Sequence, residues 1–233
     1  MKLKQLLKNL TIFEWTLWAV SVVTVALSFI FSPQKDWWSL AASVIGVTAI
    51  LFCAKGHVLG QVLVVVFAVL YGIISYFQKY YGEMITYLAM SAPIALASVV
   101  SWLKNPYGDT AEVKVSRLNK RQILWMIVLA VVVTAAFYFI LRALGNARLI
   151  VSTISVTTSF IAAYMALLRS PYYAVGYSLN DVVLIVLWVL AAIQDVANLP
   201  MVFCFGMFLF NDVYGFINWQ RMKKRQEKMG QNP

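Results

Sequence analysis

The chain has 233 residues, of which 62% are hydrophobic and only 12% are charged, and its formal net charge is +10. A soluble domain carries roughly 25% charged residues, so a water-soluble enzyme of this size could not cover so much apolar surface. The apolar runs are about twenty residues long, which predicts membrane-spanning helices rather than barrel strands of about ten residues. We therefore expect an all-α, polytopic membrane protein.

Eight apolar runs, each bounded by charged or turn residues, follow one another along the chain. They cover approximately residues 12–31, 37–54, 57–78, 84–103, 122–142, 149–168, 173–194 and 197–219. The first run follows a basic start, but no small-residue cleavage site comes after it, and residues 32–35 resemble a turn. We expect this run to be a retained helix rather than a signal peptide.

Basic residues are distributed unevenly between the two predicted sides of the membrane. An even number of spans places both termini on one side, and that side holds Lys2, Lys4, Lys8, Lys55, Lys104, Lys114, Arg117, Lys120, Arg121, Arg169, Arg221, Lys223, Lys224, Arg225 and Lys228. The other side holds only Lys35, Lys79, Arg142 and Arg148. The positive-inside rule predicts that both termini are cytoplasmic, and contact with anionic lipid accounts for the net charge. No basic stripe with interleaved aromatic residues lies outside the spans, so nucleic acid is not an expected partner.

A weak internal similarity becomes visible when the sequence is aligned with itself at an offset of 117 residues. Trp102 then falls on Trp219, Lys104 falls on Arg221, and Tyr71 falls on Trp188. This predicts two parallel three-helix repeats joined by a bridging helix, a 3+1+3 arrangement like that of SWEET transporters, with the substrate at the repeat interface. The predicted divisions are an N-terminal end with an extra helix (1–31), the first repeat (32–104), a loop with the bridging helix (105–147), the second repeat (148–220) and a basic tail (221–233).

Two Asn-Asp pairs lie inside predicted spans, where unpaired polar groups are costly. Asn180-Asp181 in span seven and Asn211-Asp212 in span eight both lie about 10–12 Å from the predicted cytoplasmic end, at about 1.5 Å per residue. Helical spacing adds Trp188 to the first pair. The other candidates for the same substrate pocket are Tyr214 and Asn218 in span eight and Gln61 and Tyr71 in span three.

Packing provides the alternative interpretation for these residues, since Asn and Asp also join helix to helix in membranes. We expect Trp102 and Trp219 to be interfacial belt residues rather than ligands. Pro93, within span four, predicts a kink. No nucleophile–base pair, metal-ligand spacing or phosphate-binding loop is present, so we expect neither an enzyme nor a cofactor or metal centre.

Three stretches carry a resemblance to a known family. They are SPYYAVGYSLNDVVLIVLWVLAAIQD and FLFNDVYGFINWQRMKKRQ in the second repeat and YGEMITYLAMSAPIALASVVSWLKNP in the first. They resemble the PnuC family of bacterial nicotinamide riboside transporters, over about residues 37–225, with NDVYGFINW as the most specific piece. The resemblance implies a homotrimer in the bacterial inner membrane and facilitated diffusion of the riboside. It also implies a cytoplasmic kinase that phosphorylates the incoming riboside for NAD biosynthesis.

One departure from the family pattern concerns the aromatic residues of span seven. Several members carry a WxxW motif there, whereas this chain has Tyr173-Ala-Val-Gly176. Tyr173 and Tyr177, or Trp188 from deeper in the helix, are the candidates for the missing stacking surface. Thiamine, riboflavin or a nucleoside is therefore the alternative substrate. A membrane-embedded enzyme, or a scaffold or receptor subunit without transport, is the alternative from another class.

Overall fold

The computed structural model describes residues 10–31, 37–77, 81–146, 148–196 and 199–229, without the side chain of Pro200. In these ranges eight helices are long and apolar enough to cross a membrane. They are α1 (Ile12–Phe31), α2 (Trp37–Ala54), α3 (Val58–Phe77), α4 (Tyr81–Leu103), α5 (Lys120–Ala143), α6 (Leu149–Leu167), α7 (Tyr173–Gln194) and α8 (Leu199–Met229). The predicted all-α membrane class is confirmed. The predicted turn at 32–35, the end of span three at 78 and the start of span eight at 197 lie outside the described residues.

One end of the helix bundle carries most of the basic residues and is called the basic end. There α2 leads into α3 and α6 into α7, and the loop of residues 104–119 follows α4. Asn119 begins α5 with a capping box, in which its side chain accepts a hydrogen bond from the Gln122 backbone while the Gln122 side chain bonds the Asn119 backbone. Both exposed backbone donors are thereby satisfied, which explains why the helix begins at this point.

Helix α4 contains a π-helical segment, Thr86–Ser91, inside otherwise α-helical structure. The backbone N–H of Ala92 bonds the carbonyl of Tyr87, five residues earlier. Pro93 has no N–H to donate, and in a regular helix its ring would crowd the carbonyl four residues before it. The wider turn directly before Pro93 relieves that crowding, and such segments are frequent at functional sites. The kink predicted at Pro93 stays a prediction, and a π-helical segment of this kind is a place where helices bend.

Two buried tryptophans join the predicted repeats at the basic end. The Nε1 atom of Trp102, at the end of α4, donates to the carbonyl of Ala166 in α6 at 2.9 Å. The Nε1 atom of Trp219, in α8, donates to the carbonyl of Cys53 in α2, also at 2.9 Å. Both tryptophans are fully buried, so the prediction that they are belt residues is wrong. Each of these carbonyls also accepts a backbone hydrogen bond, Ala166 from Arg169 N at 3.0 Å and Cys53 from Gly56 N at 2.9 Å, so the indole N–H occupies the second acceptor position of the oxygen.

A second pair of hydrogen bonds repeats the same exchange, with each donor one residue before the tryptophan and each acceptor one residue after the first carbonyl. Ser101 Oγ donates to the Leu167 carbonyl at 2.8 Å, and Asn218 Nδ2 donates to the Ala54 carbonyl at 2.8 Å. The last helix of each predicted repeat therefore binds the first helix of the other. This reciprocity is consistent with two parallel repeats related by an axis along the membrane normal.

The corners after α2 and α6 also share one backbone conformation. Gly56 has φ of 65° and Arg169 has φ of 57°, both in the left-handed region. The loop of residues 104–119 crosses both corners, since Val113 N donates to the Gly56 carbonyl at 2.9 Å and Ser116 N donates to the Arg169 carbonyl at 3.0 Å. These corners correspond at an offset of 113 residues, one helical turn less than the 117 that relates the two tryptophans.

Helix α8 continues beyond the predicted inner end of span eight, at residue 219, to Met229. The Gln226 side chain accepts a hydrogen bond from Val115 N at 2.8 Å and donates to the Val113 carbonyl at 3.1 Å. Arg117 forms an ion pair with Glu227, and Arg225 forms one with Glu112. The charged extension stays helical because the loop of residues 104–119 packs along it.

Helix α1 packs against α2 and α8 and lies outside the predicted repeats. Glu14 is only 2% exposed, and its carboxylate binds Lys55 Nζ at 2.8 and 2.9 Å. Tyr214 also donates its hydroxyl to Glu14, at 2.6 Å. Trp18 Nε1 donates to Thr48 Oγ1 at 3.0 Å. These contacts fix α1 against the basic end, because a buried carboxylate needs a charged or hydrogen-bonding partner.

Candidate functional site

A cavity of about 110 Å³ lies inside the bundle and is called the central cavity. Helices α2, α3, α4, α6, α7 and α8 all contribute to its lining. Of the ten site residues predicted from the sequence, five line it, and they are Gln61, Tyr177, Asn180, Asp181 and Asp212. Both predicted repeats therefore contribute, and the second repeat supplies most of the polar groups.

Asn180 is oriented by two hydroxyl groups of α6. Its Oδ1 atom accepts hydrogen bonds from Thr158 Oγ1 at 2.9 Å and from Ser155 Oγ at 3.2 Å. With the oxygen fixed in this way, the Nδ2 group remains available to donate to a ligand, and it has no acceptor within the described part of the chain. A preoriented amide of this kind suits a sugar hydroxyl, which can accept and donate.

Asp181 and Asp212 bring two carboxyl groups together at the cavity wall. Both side chains line the central cavity, and both are almost completely buried. The Oδ2 atom of Asp181 has no hydrogen-bond partner among the residues that the structure describes. Since a buried polar atom without a partner is costly, this oxygen is a candidate acceptor for a bound ligand.

Aromatic rings form the wall of the cavity that faces these polar groups in the first repeat. Phe67 stacks on Tyr71 with ring centroids 5.6 Å apart, and Tyr71 contacts Tyr87 at 4.5 Å. Phe67 and Tyr87 line the cavity, whereas Tyr71 is not among the lining residues and contacts both rings. Gln61 is buried beside Cys53, with its Nε2 atom 3.5 Å from the thiol. Such rings offer flat surfaces for a planar ligand.

Three predicted site residues of α8 make their contacts away from the central cavity. Asn211 Nδ2 donates to Ser21 Oγ of α1 at 2.9 Å and to the Met207 carbonyl at 2.8 Å. Tyr214 bonds Glu14, and Asn218 bonds the Ala54 carbonyl, as described above. These residues lie on faces of α8 that meet α1 and the end of α2.

A larger opening of about 390 Å³, called the vestibule, lies at the end of the bundle opposite the basic end. Trp188, the remaining predicted site residue, lines it together with Tyr81, Glu83, Arg148, Gln194 and Asp195. Trp188 therefore lines the vestibule and is not among the residues that line the central cavity.

A narrow space of about 20 Å³, called the constriction, connects the vestibule with the central cavity. It shares Glu83 and Ser152 with the vestibule, and Tyr87, Ser159 and Asn180 with the central cavity. These three spaces follow one another from the opposite end toward the middle of the bundle. They outline a path that a small solute can take once the constriction widens.

The cavity is closed toward the basic end by packed aromatic residues. The ring of Tyr173 lies 4.9 Å from that of Trp219, and Trp219 lies 5.4 Å from Trp102. All three are buried, and Val113 and Met222 pack in the same cluster. The described structure is thus open toward one end and closed toward the other.

Several lining residues were missed by the sequence interpretation. Phe67 and Tyr87 lie in apolar runs where nothing distinguishes them from core residues, although the π-helical segment places Tyr87 at the cavity. Ser155 and Thr158 belong to the run STISVTTS in α6, whose density of hydroxyl groups inside a span is a usable signal. Hydroxyl groups inside a membrane need partners, and here two of them hold Asn180.

Eight candidate membrane spans around a cavity that opens toward one end define a multi-pass membrane transport protein for a small molecule. Residues 36–221 match the family described as nicotinamide mononucleotide transporter. This match covers well over half of the chain, and the chain belongs to that family.

Two curated relatives are similar over nearly the whole chain. A nicotinamide riboside transporter PnuC from Neisseria mucosa is 30% identical over 229 residues, which cover 95% of this chain and 86% of the relative. Its counterpart from Haemophilus influenzae is 22% identical over 217 residues, covering 91% and 92% respectively. A crystal structure described as the vitamin B3 transporter PnuC superimposes with a TM-score of 0.78, at 29% identity and 94% coverage of both chains.

Proposed function

We propose that this protein carries nicotinamide riboside across the bacterial cytoplasmic membrane by facilitated diffusion. The observation that supports this most directly is the central cavity, where a preoriented amide and a carboxyl oxygen without a partner face aromatic rings. The riboside has a planar cationic ring and a sugar with hydroxyl groups. The chemistry of the cavity complements both parts.

Each part of the riboside has a matching group in the cavity. The pyridinium ring stacks on the aromatic wall formed by Phe67 and Tyr87, where cation–π attraction adds to the contact. Tyr177 takes the place of the tryptophans that several relatives carry. Asn180 donates to a ribose hydroxyl, and Asp181 accepts from one. Closure by Trp219 and Trp102 at the basic end lets the cavity face one side of the membrane at a time.

The basic end faces the cytoplasm in this proposal, with both termini on that side, because basic residues are retained there. The protein assembles as a homotrimer with one pathway in each subunit, as the family resemblance implies. A cytoplasmic kinase phosphorylates the riboside after uptake and thereby supplies NAD biosynthesis. Transport follows the riboside gradient, since no acidic residue of the first repeat lies deep in a span.

Ligand-induced stabilisation tests the substrate. Purified protein in detergent is heated with nicotinamide riboside, thiamine, riboflavin or a nucleoside, and its melting temperature is recorded. A ligand that binds only the folded state stabilises it by about 2.7 kcal/mol at a hundred times its dissociation constant. We expect the largest rise with nicotinamide riboside, and a smaller rise with the Asn180→Leu variant. A larger rise with thiamine, riboflavin or the nucleoside would assign the cavity to that compound instead.

Counterflow tests transport itself against the scaffold or receptor alternative. Vesicles loaded with unlabelled riboside and containing the protein should accumulate labelled riboside without any proton or sodium gradient. Binding without exchange would indicate a receptor. Exchange that appears only with an ion gradient would make Asp181 and Asp212 candidates for a coupling-ion site.

A further inference from the structure

Glu83 occupies a position that the proposed transport function does not yet use. Its side chain lines both the vestibule and the constriction, so a solute moving between them passes beside it. The side chain is only partly buried, and no hydrogen bond or ion pair joins it to the rest of the described chain. A carboxylate in such a position is free to interact with a passing solute.

Charge along the path is predominantly negative. In the vestibule the guanidinium of Arg148 is held by the Leu190 carbonyl at 2.6 Å and by Gln194 Oε1 at 2.9 Å, and Asp195 supplies an opposing carboxylate. Among the described residues, no Lys or Arg lines the constriction or the central cavity. The acidic groups there are Glu83, followed by the Asp181–Asp212 pair.

The remaining lining of the constriction is neutral. Helix α6 contributes a row of hydroxyl groups, Ser152, Ser155 and Ser159, spaced so that they share one face of the helix. Hydroxyl groups bond a sugar regardless of the charge on its base. Discrimination by charge at this point therefore depends on Glu83.

We infer that Glu83 is a charge-selecting residue, which favours the entrance of cationic nucleosides over neutral ones of the same shape and opposes anionic, phosphorylated ones. The inference rests on the proposed function, because it assumes transport through the vestibule. Opposite charges at the mouth of a cleft raise the local concentration of a solute, whereas like charges lower it. Rim charges of this kind act mainly on the encounter step.

Two substrates of nearly equal shape isolate the effect of charge. Nicotinamide riboside carries a positive charge on its ring, and its reduced dihydro form is neutral. Initial uptake of each compound is measured in vesicles for the wild type, Glu83→Gln and Glu83→Asp. Glu227→Gln is the matched control, because it removes a carboxylate from the basic end, outside the path.

We expect Glu83→Gln to raise the KM for the cationic form about 1.5- to fivefold, the range of a partly exposed charge contact, while the KM for the neutral form stays unchanged. Glu83→Asp should retain much of the preference, and Glu227→Gln should behave like the wild type. An unchanged ratio of the two KM values in Glu83→Gln would overturn the inference and leave the proposed function intact. If the wild type transports neither compound, the proposed function itself fails.

The dependence of KM on ionic strength provides a second measurement, which uses only the wild type. It tests the inference even if the Glu83→Gln variant fails to insert into the membrane. Raising the ionic strength from about 0.01 M to about 0.15 M shortens the Debye length from about 30 Å to about 8 Å. The KM of the wild type should rise for the cationic form and not for the neutral form. An equal response of both forms would contradict a charge-selecting entrance.

Discussion

The two predicted repeats share their framework but differ in the chemistry that they bring to the cavity. At the basic end they are closely matched, since Trp102 and Trp219 make the same hydrogen bond in opposite directions. In the cavity they diverge. When the two repeats are aligned at the offset of 113 residues that relates the corners after α2 and α6, Asn180 and Asp181 of α7 correspond to Phe67 and Ala68 of α3.

The same contrast holds for the last helix of each repeat. When the repeats are aligned at the offset of 117 residues that relates Trp102 to Trp219, Asn211 and Asp212 of α8 correspond to Ile94 and Ala95 of α4. The first repeat thus contributes an aromatic and aliphatic wall, and the second contributes most of the hydrogen-bonding groups. Backbone contacts at helix ends constrain the framework of both halves equally, whereas under the proposed function each half recognises a different side of the substrate.

The largest expected effect comes from breaking the matched framework. Trp102→Ala and Trp219→Ala should each destabilise the protein by about 3–5 kcal/mol, because removal of a fully buried ring leaves a cavity and deletes a buried hydrogen bond. The two losses should be similar if the repeats are equivalent at this point. Thermal unfolding in detergent measures both, with Trp125→Ala, half exposed on α5, as the control. A loss in only one variant would show that the framework is not symmetric.

The next largest effect is expected when a polar side chain of the second repeat is replaced by an apolar one, as the first repeat has at the corresponding position. Asn180→Leu should lower the affinity for nicotinamide riboside by about 1–3 kcal/mol, roughly fivefold to more than a hundredfold, because a substrate hydroxyl is left unpaired. Calorimetric titration measures the affinity. Asn218→Leu is a matched control outside the cavity, and equal losses in both variants would contradict the assignment of Asn180.

A smaller effect is expected at the corners after α2 and α6, which test whether the two repeats have equivalent backbones. Arg169→Gly should be neutral or stabilising, because glycine adopts a φ of 57° without strain, whereas Gly56→Ala should cost about 1–2 kcal/mol at a φ of 65°. A new Cβ at Gly56 would also displace the end of the Met222 side chain. Melting temperatures that shift in the same direction for both variants would show that the corners are not equivalent.

The smallest effect concerns Asn211, which the sequence places beside Asn180 as a ligand. Its hydrogen bonds to Ser21 and Met207 predict that Asn211→Leu lowers stability by about 0.6 kcal/mol, the average for polar contacts between membrane helices, without changing affinity. Melting temperature and ligand affinity, measured on the same preparation, separate the two roles. Reduced affinity with a normal melting temperature would return Asn211 to the substrate site.

The sequence predicted the helices well because run length and charge are local properties. It predicted that Asn180, Asp181 and Asp212 lie at one depth, because depth follows from counting residues along a helix, and all three line the central cavity. The sequence could not show which face of α8 lines the cavity. Tyr214 and Asn211 contact α1, and because α1 lies outside the repeats, no corresponding helix in the other half indicates where it packs. The sequence also could not show whether the side chains of Trp102 and Trp219 point outward to lipid or inward to the end of a neighbouring helix. An aromatic residue at the end of a span is compatible with both.

Helix α8 passes without interruption from the cavity to the surface of the basic end. Asp212, Trp219 and Gln226 follow one another at intervals of seven residues, so they share one face over about 21 Å. The first lines the cavity, the second closes it, and the third binds the loop of residues 104–119. A rigid rod of this kind acts as a lever, so a tilt caused by ligand binding displaces its far end. If ligand binding at Asp212 tilts the helix, a fluorescent label at its water-exposed end will record that tilt.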